Sequence, residues 1–172
     1  MKLSGKSHKF GDDINTDLVI SGKYKFKSLD LNDMATHVLE DADQNFYKNL
    51  KKGDFIVAGR NFGCGSSREQ APLVIKVAGV SVVLAKSFAR IFFRNAINIG
   101  LPLVECDTDK IDAGDELEVD LNKGVVINKT KKVSLQAKPL PDVMIKILQD
   151  GGLAEHFKKH GGFNLEGKCS TK

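Results

Sequence analysis

The chain has 172 residues, of which 41% are hydrophobic and 28% are charged, and its formal net charge is +4. These proportions are typical of a globular domain with one hydrophobic core, and they predict a single domain over residues 1–172. The lysines are mixed with acidic residues and no apolar run approaches the roughly 18 residues of a membrane span. Composition therefore excludes nucleic-acid and membrane partners.

The first 13 residues contain three lysines but no apolar segment behind them, which predicts no secretory signal and a cytoplasmic location. Cys64, Cys106 and Cys169 are far apart and odd in number, so they predict neither a disulfide framework nor a metal site. The four histidines are interpreted as lacking metal-ligand spacing. We therefore expect this chain to bind no metal of its own.

The predicted elements begin with one or two short helices between Asp30 and Leu50, where apolar residues keep a helical period. Strands and helices then alternate, the pattern of right-handed parallel crossovers. These are a strand at 55–58, a helix at 66–77, a strand at 81–85, a helix at 88–97 and a strand at 101–105. Short strands at 116–120, 125–128 and 132–135 and helices at 141–149 and 152–159 follow. The expected fold is an α/β core with an added small β unit.

The segment GRNFGCGSSREQAP, residues 59–72, gives the strongest functional signal because it joins a buried strand to a helix. Its glycines allow positive φ angles and close approach to a ligand. Ser66 followed by Glu69 fits a capping box, which predicts Ser66 as the helix N-cap with its hydroxyl at the positive helix end. Arg68 suits a carboxylate ligand. The glycine spacing matches neither a phosphate loop nor a dinucleotide fingerprint, so nucleotide binding is a minor alternative.

Together with GDDINTDLVISGKY at residues 11–24 and KSFARIFFRNAINIGLPL at residues 86–103, this loop resembles the small subunits of 3-isopropylmalate dehydratase. The same motifs occur in homoaconitase small subunits and in the C-terminal swivelling domain of aconitase. The resemblance implies a β/β/α swivelling-domain fold of the α/β class, with a mixed, partly parallel sheet flanked by helices. It also implies a hydro-lyase that acts only with a large subunit, which carries a [4Fe-4S] cluster. Such an enzyme removes water from a dicarboxylic 2-hydroxy acid and adds it back with hydroxyl and hydrogen exchanged.

The resemblance also implies roles for single residues. Ser66 is the expected base, which takes a proton from the carbon next to a substrate carboxylate, and Asp17 is expected in a hydrogen-bonding and proton-relay role. The expected substrate-binding residues are Ser67, Arg68, Thr16, Tyr24, Phe26 and Gly65. Ser87 and Arg90 are expected to support the catalytic loop or line the site, and Arg94 and Asn95 either do the same or form only structural hydrogen bonds. Cys64 is expected to pack as a small apolar residue.

The helix end would lower the pKa of the Ser66 hydroxyl by little more than one unit, since it contributes at most about 2 kcal/mol. The resemblance implies that the short loop starting at Tyr24 contacts the variable substituent of the substrate. An apolar Phe26 in that loop favours an isopropyl group, whose burial gains roughly 1.5 to 3 kcal/mol, and so favours isopropylmalate and leucine biosynthesis. Lys25 and Lys27 flank it and could instead reach a carboxylate. Homoaconitase, dimethylmalate-type or citraconate-type hydro-lyases and a non-catalytic carboxylate-binding module therefore stay open, as does self-association of the chain alone.

Overall fold

The computed structural model describes residues 1–25 and 30–162. A seven-stranded sheet forms its centre, in the spatial order β4-β3-β2-β1-β5-β6-β7. The strands are β1 (Lys2–Lys9), β2 (Phe55–Val57), β3 (Val82–Ala85), β4 (Leu103–Glu105), β5 (Glu116–Asp120), β6 (Val125–Asn128) and β7 (Val133–Gln136). Strands β1 to β4 pair in parallel, and β5 to β7 add antiparallel to the other edge of β1. The mixed, partly parallel sheet of an α/β fold is confirmed.

Helices flank this sheet. They are α1 (Thr16–Val19), α2 (Gly22–Lys25), α3 (Leu31–Ala35), α4 (Phe46–Asn49), α5 (Gln70–Val77), α6 (Arg90–Asn98), α7 (Asp142–Gln149) and α8 (Leu153–His160). The bounds of α6, α7 and α8 agree with the predicted helices to within two residues. Within the two described ranges, no helix is both long and apolar enough to cross a membrane.

Strand β1 is central to the sheet, yet its sequence pattern did not predict a strand. Of its eight residues only Leu3 has the apolar side chain that usually marks a buried strand. A side chain at Gly5 would collide with the carbonyl of Gly53, and the buried hydroxyl of Ser7 donates to the Asp112 carbonyl at 2.5 Å. Strand β1 therefore joins the parallel half of the sheet to the added antiparallel strands β5 to β7.

The sheet curls until its two edge strands meet at one end. Cys106, which follows β4, forms a bridge with Ala137, which follows β7. Alternate residues of β2 therefore enter different cores: Ile56 packs beneath the helices, whereas Phe55 and Val57 pack in the cluster that includes β5, β6 and α7. Burial on both faces explains why the parallel strands read as continuous apolar runs.

The parallel order of β1, β2 and β3 places their carboxyl ends at one edge of the sheet. The chain leaves β1 for residues 10–15 and α1, leaves β2 for residues 58–69, and leaves β3 for residues 86–89 before α6. Ligands of open α/β sheets usually bind at this edge, because loops from neighbouring strands meet there. All three motifs that carry the family resemblance are thus brought together.

Candidate active site

The loop after β1 lies alongside the glycine-rich loop after β2. Four main-chain hydrogen bonds join them: Gly59 N to Gly11 O at 3.0 Å, Asp13 N to Arg60 O at 2.8 Å, Gly63 N to Ile14 O at 2.7 Å, and Thr16 N to Cys64 O at 2.9 Å. The carboxylate of Asp12 also accepts from the Arg60 amide at 2.6 Å, and that of Asp13 accepts from the Asn61 side chain at 2.8 Å. These two acids thus fix the shape of the loops.

Gly63 shows why the glycine-rich loop requires glycine. Its φ angle is +79°, which side chains rarely adopt, and a Cβ atom there would overlap the ring of Phe92 in α6. The loop therefore lies directly on the aromatic face of the helix. This close approach sets the position of the residues that follow it.

Ser66 does not cap the helix, so that prediction is wrong. Helix α5 begins at Gln70 and its N-cap is Glu69, with no side-chain capping bond. The reason is Pro72, because a helix that began after Ser66 would need an amide at Pro72 to bond the Arg68 carbonyl, and proline has none. Starting at Gln70 places Pro72 in the first turn, where proline is tolerated.

The Ser66 main chain is fixed while its side chain is exposed. The Ser66 carbonyl accepts from the Thr16 hydroxyl at 3.0 Å and from the Arg68 amide at 2.8 Å. Among the described residues, its own hydroxyl has no hydrogen-bond partner. It opens on a cleft of about 320 Å³. The residues lining this cleft are Thr16, Gly63, Gly65, Ser66, Ser67, Arg68, Ala89, Arg90, Ile91, Phe92 and Asn95.

Arg68 is oriented by two groups of the loop after β1. Its Nη2 lies 2.5 Å from Asp17 Oδ1, and its Nη1 donates to the Ile20 carbonyl at 3.3 Å. The Arg68 side chain is mostly buried, whereas that of Asp17 is largely exposed. Asp17 thus reaches the site through Arg68 and does not itself line the cleft. A guanidinium has five N–H donors, so Arg68 retains donors for a further carboxylate.

The first turn of α6 also lines the cleft. Ala89, the N-cap, forms no side-chain capping bond, and the first helical hydrogen bond runs from Phe93 N to Ala89 O. Within residues 1–25 and 30–162, the amides of residues 90–92 have no acceptor. Free amides at a helix start attract anions, and Arg90 adds a positive charge. The sequence argument missed this anion-binding end; the lack of a capping side chain before Arg90 could have indicated it.

The remaining predicted residues lie outside the cleft. Ser87 Oγ accepts from the Asn61 amide at 2.9 Å and so supports the glycine-rich loop. Tyr24 stacks on His37, with ring centroids 3.9 Å apart, and donates to Glu40 at 2.8 Å. Arg94 is exposed on α6 and does not line the cleft, whereas Asn95 does. Phe26 and Lys27 lie outside the described residues.

Neither described cysteine suits a metal or a nucleophilic role. Burial raises the pKa of the Cys64 thiol, with a contribution from Asp13, and raises the pKa of Cys106 to about 12. Both therefore stay protonated at neutral pH, and metals and electrophiles require the thiolate. The expected apolar packing of Cys64 agrees with this environment.

Two histidines do have metal-ligand spacing, so the interpretation of all four as lacking it is wrong. His156 and His160 lie one turn apart on α8, and both contact the carboxylate of Asp150 at the end of α7. These three side chains could together hold a metal ion. They are remote in sequence from the residues of the cleft.

Comparison with known proteins agrees with this arrangement. Residues 14–108 match the family described as the aconitase C-terminal domain. The chain is 58% identical to 3-isopropylmalate dehydratase small subunit 2 of Archaeoglobus fulgidus over 96% of its length and 100% of the relative, and 56% identical to the small subunit of Caldicellulosiruptor saccharolyticus over 92% of each. It superposes on the crystal structure of 3-isopropylmalate dehydratase from Methanocaldococcus jannaschii with a TM-score of 0.89 and 46% identity, over 94% of this chain and 96% of that one.

Proposed function

The chain belongs to the aconitase C-terminal domain family, among the small subunits of 3-isopropylmalate dehydratase, and on that premise we propose that it is the small subunit of a heteromeric hydro-lyase. The reaction proposed is the interconversion of 2-isopropylmalate and 3-isopropylmalate by loss and re-addition of water, a step of leucine biosynthesis. The observation that carries the proposal is one cleft at the carboxyl ends of β1, β2 and β3 that holds an exposed serine hydroxyl beside two arginines.

Ser66 is the proposed base, acting through Oγ on the carbon next to a substrate carboxylate. Its main chain is held by Thr16, which fixes the point from which the exposed side chain projects. The helix that follows it in sequence starts only at Gln70, and the effect of a helix dipole falls off within the first turn. The α5 dipole therefore activates Ser66 less than the capping pattern predicted. Exclusion of water when a partner covers the cleft is the remaining source of activation, because it strengthens every charge interaction inside.

Arg68, Arg90 and the free amides of α6 are the proposed carboxylate-binding groups. They supply positive charge at the cleft, and none of the described residues lining it is acidic. Ser67, Gly65 and Thr16 line the same cleft and complete the proposed binding set, while Asp17 would act by holding the Arg68 guanidinium. A substrate with two carboxylates suits such a surface, since arginine pairs bidentately with carboxylates.

A large subunit is the proposed partner, and the proposed [4Fe-4S] cluster belongs to it. The family implies such a cluster, whereas Cys64 and Cys106 of this chain are held as thiols and do not fit as its ligands. The cluster would supply Lewis-acid polarisation of the substrate hydroxyl. Ile91 lines the cleft with 53% of its surface exposed, an apolar contact that suits a covering partner. We also propose a cytoplasmic location, because Cys64 and Cys106 are both free thiols.

The test combines this chain with its large subunit and follows the isomerisation of 2-isopropylmalate. Ser66→Ala should abolish turnover and leave complex formation intact on size-exclusion chromatography. Ser134→Ala, which removes an exposed serine of β7, is the matched control and should retain full turnover. A Ser66→Ala complex with normal turnover would refute the assignment of the base. Isolated chain that binds the dicarboxylate, with a reconstituted complex that never turns over, would identify a carboxylate-binding module instead.

A further inference from the structure

A cluster of metal-ligating side chains lies at the junction of α7 and α8, formed by Asp150, His156 and His160. Asp150 Oδ2 lies 2.7 Å from His156 Nδ1 and 2.9 Å from His160 Nε2. The three ligand atoms all lie within 4.8 Å of one another. Two imidazole nitrogens and one carboxylate oxygen thus converge on one point.

The local fold explains this convergence. Asp150 ends α7, and the pair Gly151 and Gly152, both with positive φ, reverses the chain so that α8 begins beside it. His156 and His160 are four residues apart and so share one face of α8. Contacts between α7 and α8 hold the two helices together. The side chains of Asp150 and His156 are buried, at 7% and 3% exposure, and His160 at 35% leaves the site open to solvent.

We propose that Asp150, His156 and His160 bind a divalent first-row transition ion of the Zn²⁺ type. Imidazole and carboxylate ligands suit zinc, whereas Mg²⁺ and Ca²⁺ prefer sets made of oxygen alone. Three protein ligands leave a fourth position for water. The proposal is independent of the proposed hydro-lyase function, because none of the three residues lines the cleft.

Two of the three separations between ligand atoms are close to those around a bound ion. Tetrahedral zinc with bonds of about 2.0 to 2.1 Å places its ligand atoms about 3.3 Å apart. The Asp150 oxygen is a few tenths of an ångström too close to both histidines, as expected where hydrogen bonds occupy the place of the ion. The second oxygen, Oδ1, accepts from Lys159 Nζ at 2.6 Å. Such outer contacts orient ligating carboxylates in metal sites.

The cluster joins the end of α7 to α8 through side chains, because Asp150 contacts both His156 and His160. The consequence of binding would be structural, because α7 and α8 both pack against α6.

Isothermal titration of the full chain with ZnCl₂ at pH 7.5 tests the proposal. We expect one ion per chain and a rise in Tm with Zn²⁺. His160→Gln, which changes the more exposed ligand, should weaken binding by at least about tenfold, the loss that even an outer contact typically causes. His37→Gln, which alters a histidine paired with Glu40 in another part of the fold, is the matched control and should bind like the parent chain.

A second variant and a second metal ion serve as further controls. Asp150→Asn keeps the side-chain shape but removes the charge, so it should also lose Zn²⁺ binding. This second variant provides the test if circular dichroism shows that His160→Gln is unfolded. MgCl₂ should give no heat of binding. Equal Zn²⁺ affinity in the parent chain, His160→Gln and Asp150→Asn would overturn the proposal, as would binding of Mg²⁺ as tight as that of Zn²⁺.

Discussion

The hydrogen bond from Thr16 to the Ser66 carbonyl allows a direct test of how the site is positioned. Thr16 is 2% exposed, and its hydroxyl donates to that carbonyl at 3.0 Å. Thr16→Val removes the donor at constant shape. The Ser66 carbonyl keeps the Arg68 amide at 2.8 Å, so no buried acceptor is left unpaired and the loss should be about 1 kcal/mol. For a chain of this size that lowers Tm by about 2 to 4 °C.

Thr108→Val is the matched control for this change. Thr108 is 1% exposed, and its hydroxyl donates to the Ala58 carbonyl at 2.8 Å, again between residues 50 positions apart in sequence. Its loss of stability, measured by thermal unfolding of the isolated chain, should be at least as large, about 1 to 3 kcal/mol, because no second donor to the buried Ala58 carbonyl lies among the described residues. Thr16 holds the residue proposed as base and lines the cleft, whereas Thr108 does neither.

The assay is steady-state isomerisation by the complex with the large subunit. Thr16→Val should lower kcat by up to about 100-fold, because a misplacement of about 1 Å has effects of that size. Thr108→Val should leave kcat unchanged, and Thr16→Ser should restore it by restoring the donor. Equal kcat in Thr16→Val and Thr108→Val would refute the positioning argument. A raised KM with unchanged kcat would show instead that the Thr16 hydroxyl binds substrate.

Three further predictions concern the loop, acid stability and specificity. Gly63→Ala should destabilise the chain by about 2 to 4 kcal/mol in urea unfolding, through positive φ and collision with an aromatic ring, whereas Gly11→Ala meets open space and should not. Burial raises the pKa of Asp54, but hydrogen bonds from His8 and two main-chain amides outweigh it and leave the pKa lowered. The Asp54 charge therefore stabilises the fold at pH values above the pKa of the unfolded state, and this stabilisation is lost as pH falls through the pKa of the folded state. Asp54→Asn should lower the free energy of unfolding by about 1.5 to 3 kcal/mol at pH 7, and by progressively less towards pH 2, in urea titrations. Phe26→Arg should shift specificity towards homocitrate-like acids in competition assays, and unchanged specificity would contradict the role given to residue 26.

The sequence predicted those elements whose local pattern agrees with their tertiary setting. Strands β5 and β6 have the predicted bounds, because their apolar residues alternate and a glycine turn joins them. Strand β1 has no such pattern, since Gly5 and Ser7 face crowded main chain rather than an apolar core. Its pairing with β2 and β5 is long-range information, which no local pattern contains.

The site was predictable as a set of motifs and not as a geometry. The capping pattern of Ser66 and Glu69 is a common helix start, but Pro72 overrides it and moves the first turn along the chain. The free helix end that does line the cleft belongs to α6, because the order of the parallel strands brings residues 86–89 beside the glycine-rich loop. The metal-ligand cluster was missed for a similar reason: Asp150 meets the histidines only through the glycine turn between α7 and α8.

The exposure of Ser66 connects the fold to the need for a partner. The Ser66 hydroxyl is open to water and lies outside the first turn of α5. Among the described residues no side chain is hydrogen-bonded to it and could accept its proton, so it has little tendency to ionise. The groups around it instead suit anion binding: Arg68 is fixed by Asp17, and the α6 amides are free. Such groups act weakly across water and strongly where water is excluded. Covering this cleft is therefore what would turn a carboxylate-binding surface into a catalytic one, and the exposed Ile91 marks where the covering surface would make contact.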